Sequence, residues 1–389
     1  MAQAPANRVR VSLPFELVQE ILCRTPVESL IRFKETCKQW NALISSDIKF
    51  KQKHLDHHIH TPERFLRIAD DHLVQIMDPV TGILTERPVP NEFLDPISIS
   101  WMVHCDGLML CICEDSVRGG GYVSLAVWNP FLRRVKWIEP SVHHWVDDYF
   151  GIGYDDDASR DNYKILRFGY NLSSSPPGDT IRVFEIYEFM SDSWRGINAA
   201  GFNANIGMEV ECVSVKGKMY WVANEGADGR YFILCFDFSE EIFKDVCECP
   251  DFWMDFSRLE CFNGDRLSFL TQGGQGSRDI EVWMTNKLSD EVVSFANYFN
   301  VTTGPDLIPQ LRFDTRPGYS IGKYRNIMAW CEATVEEEDD NLVSVFTFYD
   351  IDETGVVREI ETGRREQHDD GGLSLCSYVY VRSLIPVPE

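Results

Sequence analysis

A short motif in the last third of the chain has residue types suited to nucleophilic catalysis. Gly318-Tyr319-Ser320-Ile321-Gly322 matches G-x-S-x-G, in which a serine on a sharp turn attacks an acyl group, and His368 follows as a candidate base. The motif requires a strand-to-helix turn, whereas here Pro317 precedes it and a strand-forming run begins at Ile327. The sequence therefore favours a turn or the start of a strand, and a hydrolase using Ser320 stays a minor alternative.

Two other groups of side chains have ligand chemistry. Four histidines cluster at the end of a predicted helix, where three could share a face and bind a metal, although imidazolium also suits a helix C-terminus. They are His54, His57, His58 and His60. Two C-x-C pairs, Cys111-x-Cys113 and Cys247-x-Cys249, lie in different predicted repeats and are interpreted as buried thiols. The glycine clusters lack the Lys-Ser/Thr of a phosphate-binding loop, so the sequence predicts no metal and no cofactor.

Charge separates the chain into two parts. Up to His60 there are nine Lys/Arg against six Asp/Glu, and the remaining residues contain 28 against 55. An acidic body argues against nonspecific nucleic-acid binding and against an anionic membrane surface. The N-terminus lacks an apolar signal segment and no run of 18 apolar residues occurs, so we expect a chain of the cytoplasm or nucleus with reduced cysteines.

The basic part has the periodicity of four short amphipathic helices. Between Leu13 and Leu55, apolar residues recur at helical spacing, and Asp47 is placed to cap the fourth helix. Thr25 and Glu28 have the spacing of a capping box, with Pro26 at the first helical position of the second helix. About 45 residues bury too little surface to cover all of these apolar faces, so one face remains for a partner.

These helices resemble the F-box, which docks onto a Skp1-type adaptor in cullin-based ubiquitin ligases. The resemblance lies in Leu13-Pro14-x-Glu16-Leu17, Ile21-Leu22, Arg24-Thr25-Pro26, Leu30-x-x-Phe33 and Cys37-Lys38-x-Trp40-x-x-Leu43-Ile44. It implies a contact with a Skp1-like adaptor and, through it, with a cullin/RING ligase. The implied adaptor-binding residues are Leu13, Pro14, Leu17, Ile21, Leu22, Pro26, Leu30, Phe33, Cys37, Lys38, Trp40, Leu43 and Ile44.

From Thr61 onward the apolar period changes from 3.6 to 2, which indicates an all-β body. A strand-turn-strand unit recurs six times around the anchors Met77, Trp128, Tyr187, Phe236, Trp283 and Tyr349, spaced by 51, 59, 49, 47 and 66 residues. Periods near 50 predict a kelch-like propeller of six blades. The leftover residues 373–387 are predicted to pair near residues 65–77 and close the ring.

The β segments also resemble the F-box-associated domain of plant F-box proteins, which recruits substrates for ubiquitylation. The resemblance runs from about Cys105 to Val387 and lies in the segments CDGLMLCI, VWNPFLRRVKWI, FGIGYDDDASRDNYKI, VFEIYEFMSDSWRGI, GKMYWVA, ILCFDFSEEIFKDV and the terminal YVRSLIPV. The fold class is thus α+β as separate domains. We predict a disordered N-terminus at 1–10, an F-box at 11–57, a junction at 58–64 and a propeller at 65–389.

The resemblance implies a non-catalytic substrate receptor of an SCF (Skp1-cullin-F-box) ligase with an unknown protein target. Three tryptophans in less regular stretches, Trp101, Trp145 and Trp253, are the candidate target contacts. Two alternatives stay open: a propeller scaffold that acts outside ubiquitin transfer, and the propeller enzyme with Ser320.

Overall fold

The protein was analysed as a computed structural model. It describes residues 13–58, 64–69, 73–94, 97–115, 121–142, 144–155, 160–171, 181–199, 202, 204–206, 212–225, 229–251, 257–273, 279–302, 318–322, 324–336, 342–366 and 377–388. The predicted disordered N-terminus, most of the junction, His60, Trp253 and His368 lie outside these ranges.

The four predicted helices are confirmed. They are α1 (Phe15–Cys23), α2 (Val27–Phe33), α3 (Lys38–Ser46) and α4 (Ile48–His58). Their shared core contains Leu22, Leu30, Leu43, Ile44 and Phe50. The Asp47 carboxylate accepts a hydrogen bond from the Phe50 amide at 3.0 Å, which confirms the predicted cap of α4. None of the described helices is long and apolar enough to cross a membrane.

The predicted capping box at Thr25 and Glu28 is wrong. Pro26 occupies the N-cap of α2, which receives no side-chain hydrogen bond. The Thr25 hydroxyl instead donates to the Ile21 carbonyl at 2.9 Å, closing the end of α1. The Glu28 carboxylate bonds Arg382, so both capping groups have other partners.

Six antiparallel sheets follow the helices. Blade 1 contains β1 (Arg64–Ala69), β2 (Leu73–Met77) and β3 (Leu84–Pro88). Blade 2 contains β4 (Ile97–Cys105), β5 (Leu108–Asp115), β6 (Tyr122–Asn129) and β7 (Arg134–Ile138), with β8 (His144–Trp145) paired to β6. Blade 3 contains β9 (Tyr149–Tyr154), β10 (Tyr163–Asn171), β11 (Ile181–Glu188) and β12 (Ser193–Gly196).

The second half of the ring repeats this plan. Blade 4 contains β13 (Asn205–Ile206), β14 (Val213–Val215), β15 (Lys218–Asn224), β16 (Tyr231–Asp237) and β17 (Ile242–Glu248). Blade 5 contains β18 (Ser257–Phe262), β19 (Arg266–Gln272), β20 (Ile280–Thr285) and β21 (Phe295–Val301). Blade 6 contains β22 (Gly318–Gly322), β23 (Asn326–Glu336), β24 (Leu342–Asp352) and β25 (Gly355–Glu366). The last strand is β26 (Ser377–Tyr380).

The C-terminal strand closes the ring, as the sequence predicted. β26 pairs with β1, placing Val379 opposite Phe65, and so becomes the innermost strand of blade 1. The innermost strands β26, β4, β9, β14, β18 and β22 contact one another in that order around the ring. Closure by the two chain ends pairs the inner edge of blade 1, which would otherwise be an open sheet edge.

The repeat seen in the sequence has a simple structural basis. Each of the six anchor residues lies in the third strand of its blade, counted from the centre. The predicted turns at Asp106-Gly107, Lys216-Gly217 and Asn263-Gly264 are also confirmed, because both residues of each pair have positive φ. Such pairs join the two innermost strands of a blade in a tight hairpin.

Candidate functional site

An exposed apolar stripe runs along α1. Leu13, Leu17 and Ile21 are spaced four residues apart and are 57%, 52% and 56% exposed. Leu17 and Ile21 lie one above the other on the same face of α1, and Leu13 directly precedes Pro14, the N-cap of this helix. At the end of α2, Phe33 is 38% exposed, and its ring lies 5.8 Å from that of the half-buried Trp40. We call Leu13, Leu17, Ile21, Phe33 and Trp40 the docking face.

The other predicted adaptor residues divide by burial. Pro14, Pro26, Cys37 and Lys38 are exposed, whereas Leu22, Leu30, Leu43 and Ile44 are buried in the helical core. The exposed residues are available to a partner, and the buried ones hold the helices that present them. Sequence periodicity did not separate the exposed Leu17 and Ile21 from the buried Leu22 and Leu30, because all four are apolar and recur at helical spacing.

Polar contacts fix α1 against α4. The Glu20 carboxylate bonds Arg24 at 2.8 Å and Lys53 at 2.6 Å. The Lys53 hydrogen bond is the main reason that the pKa of Glu20 is lowered. His57 lies 3.8 Å from the same carboxylate, and the buried His54 donates to the Thr25 carbonyl at 2.9 Å.

His54 and His57 therefore have separate structural partners. Among the described residues, no group of three metal-ligating side chains lies close enough to hold a metal ion.

The helical module is joined to the propeller by buried and charged contacts. Leu55 of α4 packs in the core shared by blades 2, 3 and 4, and Leu384 packs in the helical core. Arg160 bonds Asp56 of α4 and Asp106 of the β4–β5 turn. These contacts fix the docking face relative to the ring, in place of a flexible tether.

The C-terminal segment strengthens this junction. Arg382 bonds Glu28 of α2. The buried Asn129 of β6 donates to the Ser383 and Ile385 carbonyls at 3.3 and 2.7 Å, and its side-chain oxygen accepts from the Phe131 and Leu132 amides at 2.9 and 2.8 Å. Sequence reasoning missed both links. The Asn-Pro step after β6 was the available signal for Asn129, whereas nothing local marks the pairing of Glu28 with a residue 354 positions away.

The propeller has two different ends. The turn after β6 and the segment after β26 reach the helices through Phe131 and Arg382. The turn after β4 is linked to α4 through Arg160, which bonds both Asp106 and Asp56. In an antiparallel blade, the connection between the second and third strands leaves from the opposite end. We call this opposite end the far end. Among the described residues, the contacts given above between the helices and the propeller all lie at the other end.

The candidate tryptophans are not prominent surface residues. Trp101 of β4 is half-buried and packs at 6.3 Å on the Phe150 ring. Trp145 is half-buried and lies 4.5 Å from the Tyr122 ring, at the far end where β6 begins. Val142 and Val146 beside it are 55% and 41% exposed, which gives the far end an apolar patch.

The serine motif does not form a nucleophile elbow. Ser320 lies within β22, opposite Met328, and is 6% exposed. The Gly318 amide donates to the Ser377 hydroxyl at 2.6 Å, so the motif seals blade 6 against β26. The C-x-C pairs lie in blades 2 and 4, as predicted, and burial raises the pKa of Cys111 and of Cys113.

Comparison with known proteins agrees with both domains. Residues 11–52 match the F-box domain, and residues 59–387 match the F-box associated beta propeller domain. F-box only protein 15 of Arabidopsis thaliana is 52% identical over 392 residues, and the aligned region covers 99% of this chain and 99% of that protein. The F-box/WD-40 repeat-containing protein 1 of the same plant is 36% identical, covering 97% of this chain and 89% of that protein.

Solved structures share only a distant likeness. TolB from Acinetobacter baumannii has a TM-score of 0.42 at 10% identity, covering 85% of this chain and 73% of that chain. This likeness is too distant to bear on function, and the assignment rests on the full-length relatives and the two matched domains. The chain belongs to the family of F-box proteins that carry an F-box associated β-propeller domain.

Proposed function

We propose that this protein is the substrate-recognition subunit of an SCF-type ubiquitin ligase. The docking face would bind a Skp1-like adaptor and, through it, a cullin/RING ligase, and the propeller would bind the target protein. The observation that carries the proposal is the apolar stripe of Leu13, Leu17 and Ile21, which an F-box module leaves in water. Each of these half-exposed side chains would contribute on the order of 1 kcal/mol when a partner covers it.

The proposed role involves no catalytic group from this chain. A receptor accelerates ubiquitin transfer by holding the target near the charged conjugating enzyme, which makes the reaction nearly intramolecular. The fixed junction supports this role because it would give the target a defined position. We also propose a cytoplasmic or nuclear location, where the described cysteines would stay reduced.

We place target binding at the far end of the propeller. The helices occupy the opposite end, and the apolar patch of Val142, Trp145 and Val146 offers the kind of contact that anchors protein interfaces. Trp101 packs more deeply, and Trp253 lies outside the described residues.

The double substitution of Leu17→Ala with Ile21→Ala tests adaptor binding. Both side chains are exposed, so we expect the melting temperature to stay within about 1 °C of wild type. Recovery of a Skp1-like protein and a cullin by co-purification should fall at least about tenfold, because each truncated anchor weakens the interface. Met190→Ala on the propeller removes an apolar side chain that is 89% exposed and lies outside the docking face, and it serves as the control.

Two outcomes would overturn the proposal. Equal recovery of adaptor and cullin by the wild type and the double variant would show that the docking face does not bind them. Recovery of the adaptor without any cullin would favour the alternative of a scaffold that acts outside ubiquitin transfer.

A further inference from the structure

A cleft of about 600 Å³ lies where the helical module meets the propeller. Its walls come from the ends of α2 and α3, the beginning of α4, the region after the β6–β7 turn and the C-terminal segment. Residues that line it include Lys34, Ser45, Lys51, Arg134, Lys136 and Pro386. We call it the junction cleft. Its volume is in the range of small-molecule sites.

The junction cleft is basic in a strongly acidic protein. Lys34, Lys51, Arg134 and Lys136 line it, no Asp or Glu is among its described lining residues, and the whole chain has a net charge of −24. Lys136 is paired, because its Nζ lies 3.0 Å from the Asp192 Oδ1. For the other three cations, no carboxylate among the described residues lies within 4.0 Å. Three of the four cations of the cleft thus have no carboxylate partner in the part of the chain that the structure describes.

Lys51 is the least expected of these cations. Lys51 is only 7% exposed, and its Nζ donates one hydrogen bond, to the Ser45 carbonyl at 2.8 Å. An ammonium group has three donors, and burying it without an ion pair is unfavourable. Burial lowers the pKa of Lys51, and the charge of Asp47 opposes this only in part. A buried, underpaired ammonium at the wall of a cleft indicates a site whose anion is bound from solution.

We propose that the junction cleft binds a small, multiply phosphorylated molecule. Phosphate groups suit the site because they carry two charges in a compact volume and accept several hydrogen bonds, which matches ammonium and guanidinium donors from different walls. Because these walls belong to both the helical module and the propeller, the ligand binds only when the two are docked. Binding therefore stabilises the junction through mass action. This inference does not depend on the proposed role in ubiquitin transfer.

The test uses the full chain and inorganic tripolyphosphate as the probe, with affinity measured by isothermal titration calorimetry. The site variant combines Lys34→Gln with Arg134→Gln, and both side chains are accessible enough to replace without disturbing the core. The control variant combines Arg32→Gln with Arg133→Gln, which removes the same charge from neighbouring, exposed positions outside the cleft lining. We expect the site variant to bind at least about tenfold more weakly and the control to bind like wild type.

The same titrations contain the results that would overturn the proposal. Equal weakening in the site and control variants would show a general charge effect with no defined site. Absence of wild-type binding at millimolar tripolyphosphate would remove the site altogether. Tighter binding of an acidic peptide, lost in the site variant, would assign the cleft to a protein segment and not to a small phosphorylated molecule. Thermal unfolding gives a second readout, since tripolyphosphate should raise the melting temperature of the wild type and the control only.

Discussion

Asn129 should be one of the most sensitive single positions in this protein. Its side chain is buried and makes four hydrogen bonds, two to the carbonyls of Ser383 and Ile385 and two from the amides of the turn after β6. Asn129→Ala removes all four bonds and takes the donor away from the carbonyls of the buried residues Ser383 and Ile385. At about 1 kcal/mol for each bond, we expect a loss of about 4 kcal/mol in the free energy of unfolding.

The expected change in melting temperature follows from chain size. Unfolding entropy is about 2.1 cal/mol/K per residue, which for 389 residues gives about 0.8 kcal/mol/K. A loss of about 4 kcal/mol therefore lowers the melting temperature by about 5 °C, measurable by circular dichroism. Hydrogen exchange offers a local readout, since the amides of residues 381–385 and of Val387 should exchange faster in the variant than in the wild type.

Two further variants make the result specific. Asn297→Ala removes an exposed Asn whose side-chain amide bonds Asn300 at 2.7 Å, and it should change stability by less than about 0.5 kcal/mol. Asn129→Asp retains the oxygen that accepts from the turn amides, but it places a second carboxylate oxygen against the Ser383 and Ile385 carbonyls. Because these oxygens repel one another, we expect a loss of unfolding free energy at neutral pH as large as that of the alanine variant. An Asn129→Ala protein that melts within about 1 °C of wild type, with unchanged exchange at residues 381–385 and at Val387, would refute the reasoning.

Three other predictions concern packing, closure and pH. A Cβ at Gly153 would lie 2.1 Å from the Gly217 carbonyl oxygen, so Gly153→Ala should cost about 1–3 kcal/mol of stability, whereas Gly363→Ala has nothing within 4 Å and should melt like wild type. Removing residues 377–389 unpairs the inner edge of β1 and should abolish cooperative unfolding of the propeller; an unchanged melting curve would contradict closure by β26. Burial alone would raise the pKa of Glu28, but its hydrogen bonds and the charge of Arg382 lower that pKa below its usual value. The ionised Glu28 therefore contributes its full stabilisation at neutral pH. This stabilisation is lost as the pH falls below about 4.3 and passes through the lowered pKa. The stability difference between wild type and Glu28→Gln should therefore shrink in acid, and a difference that persists at about pH 3 would argue against this linkage.

Much of the architecture follows from local patterns. The helices and the strands could be predicted because their apolar periods, 3.6 and 2, are written in neighbouring residues. The six anchors from Met77 to Tyr349 gave the blade number because each fills the same place in the third strand of its sheet. Ring closure could also be predicted from the sequence, because the C-terminal strand has no blade of its own and the first blade lacks its innermost strand.

The candidate site was predicted less completely. The thirteen adaptor residues implied by the resemblance include both Leu17 and Leu22, but only the structure separates the exposed stripe from the core beneath it. The capping box at Thr25 failed because a local pattern competed with a distant partner: Glu28 bonds Arg382, and the Thr25 hydroxyl bonds the preceding helix. A spacing rule contains no information about a residue that lies 354 positions away.

The sequence by itself thus determined the type and order of the elements, the two domains and their family resemblance, because these depend on short-range spacing. The tertiary structure alone decided how the two domains are joined, which apolar residues face solvent, and that Lys34, Lys51 and Arg134 meet around one cleft. The physical reason is ring closure. Pairing β26 with β1 brings the C-terminal segment against Asn129 and α2, and this creates contacts that no stretch of neighbouring residues specifies.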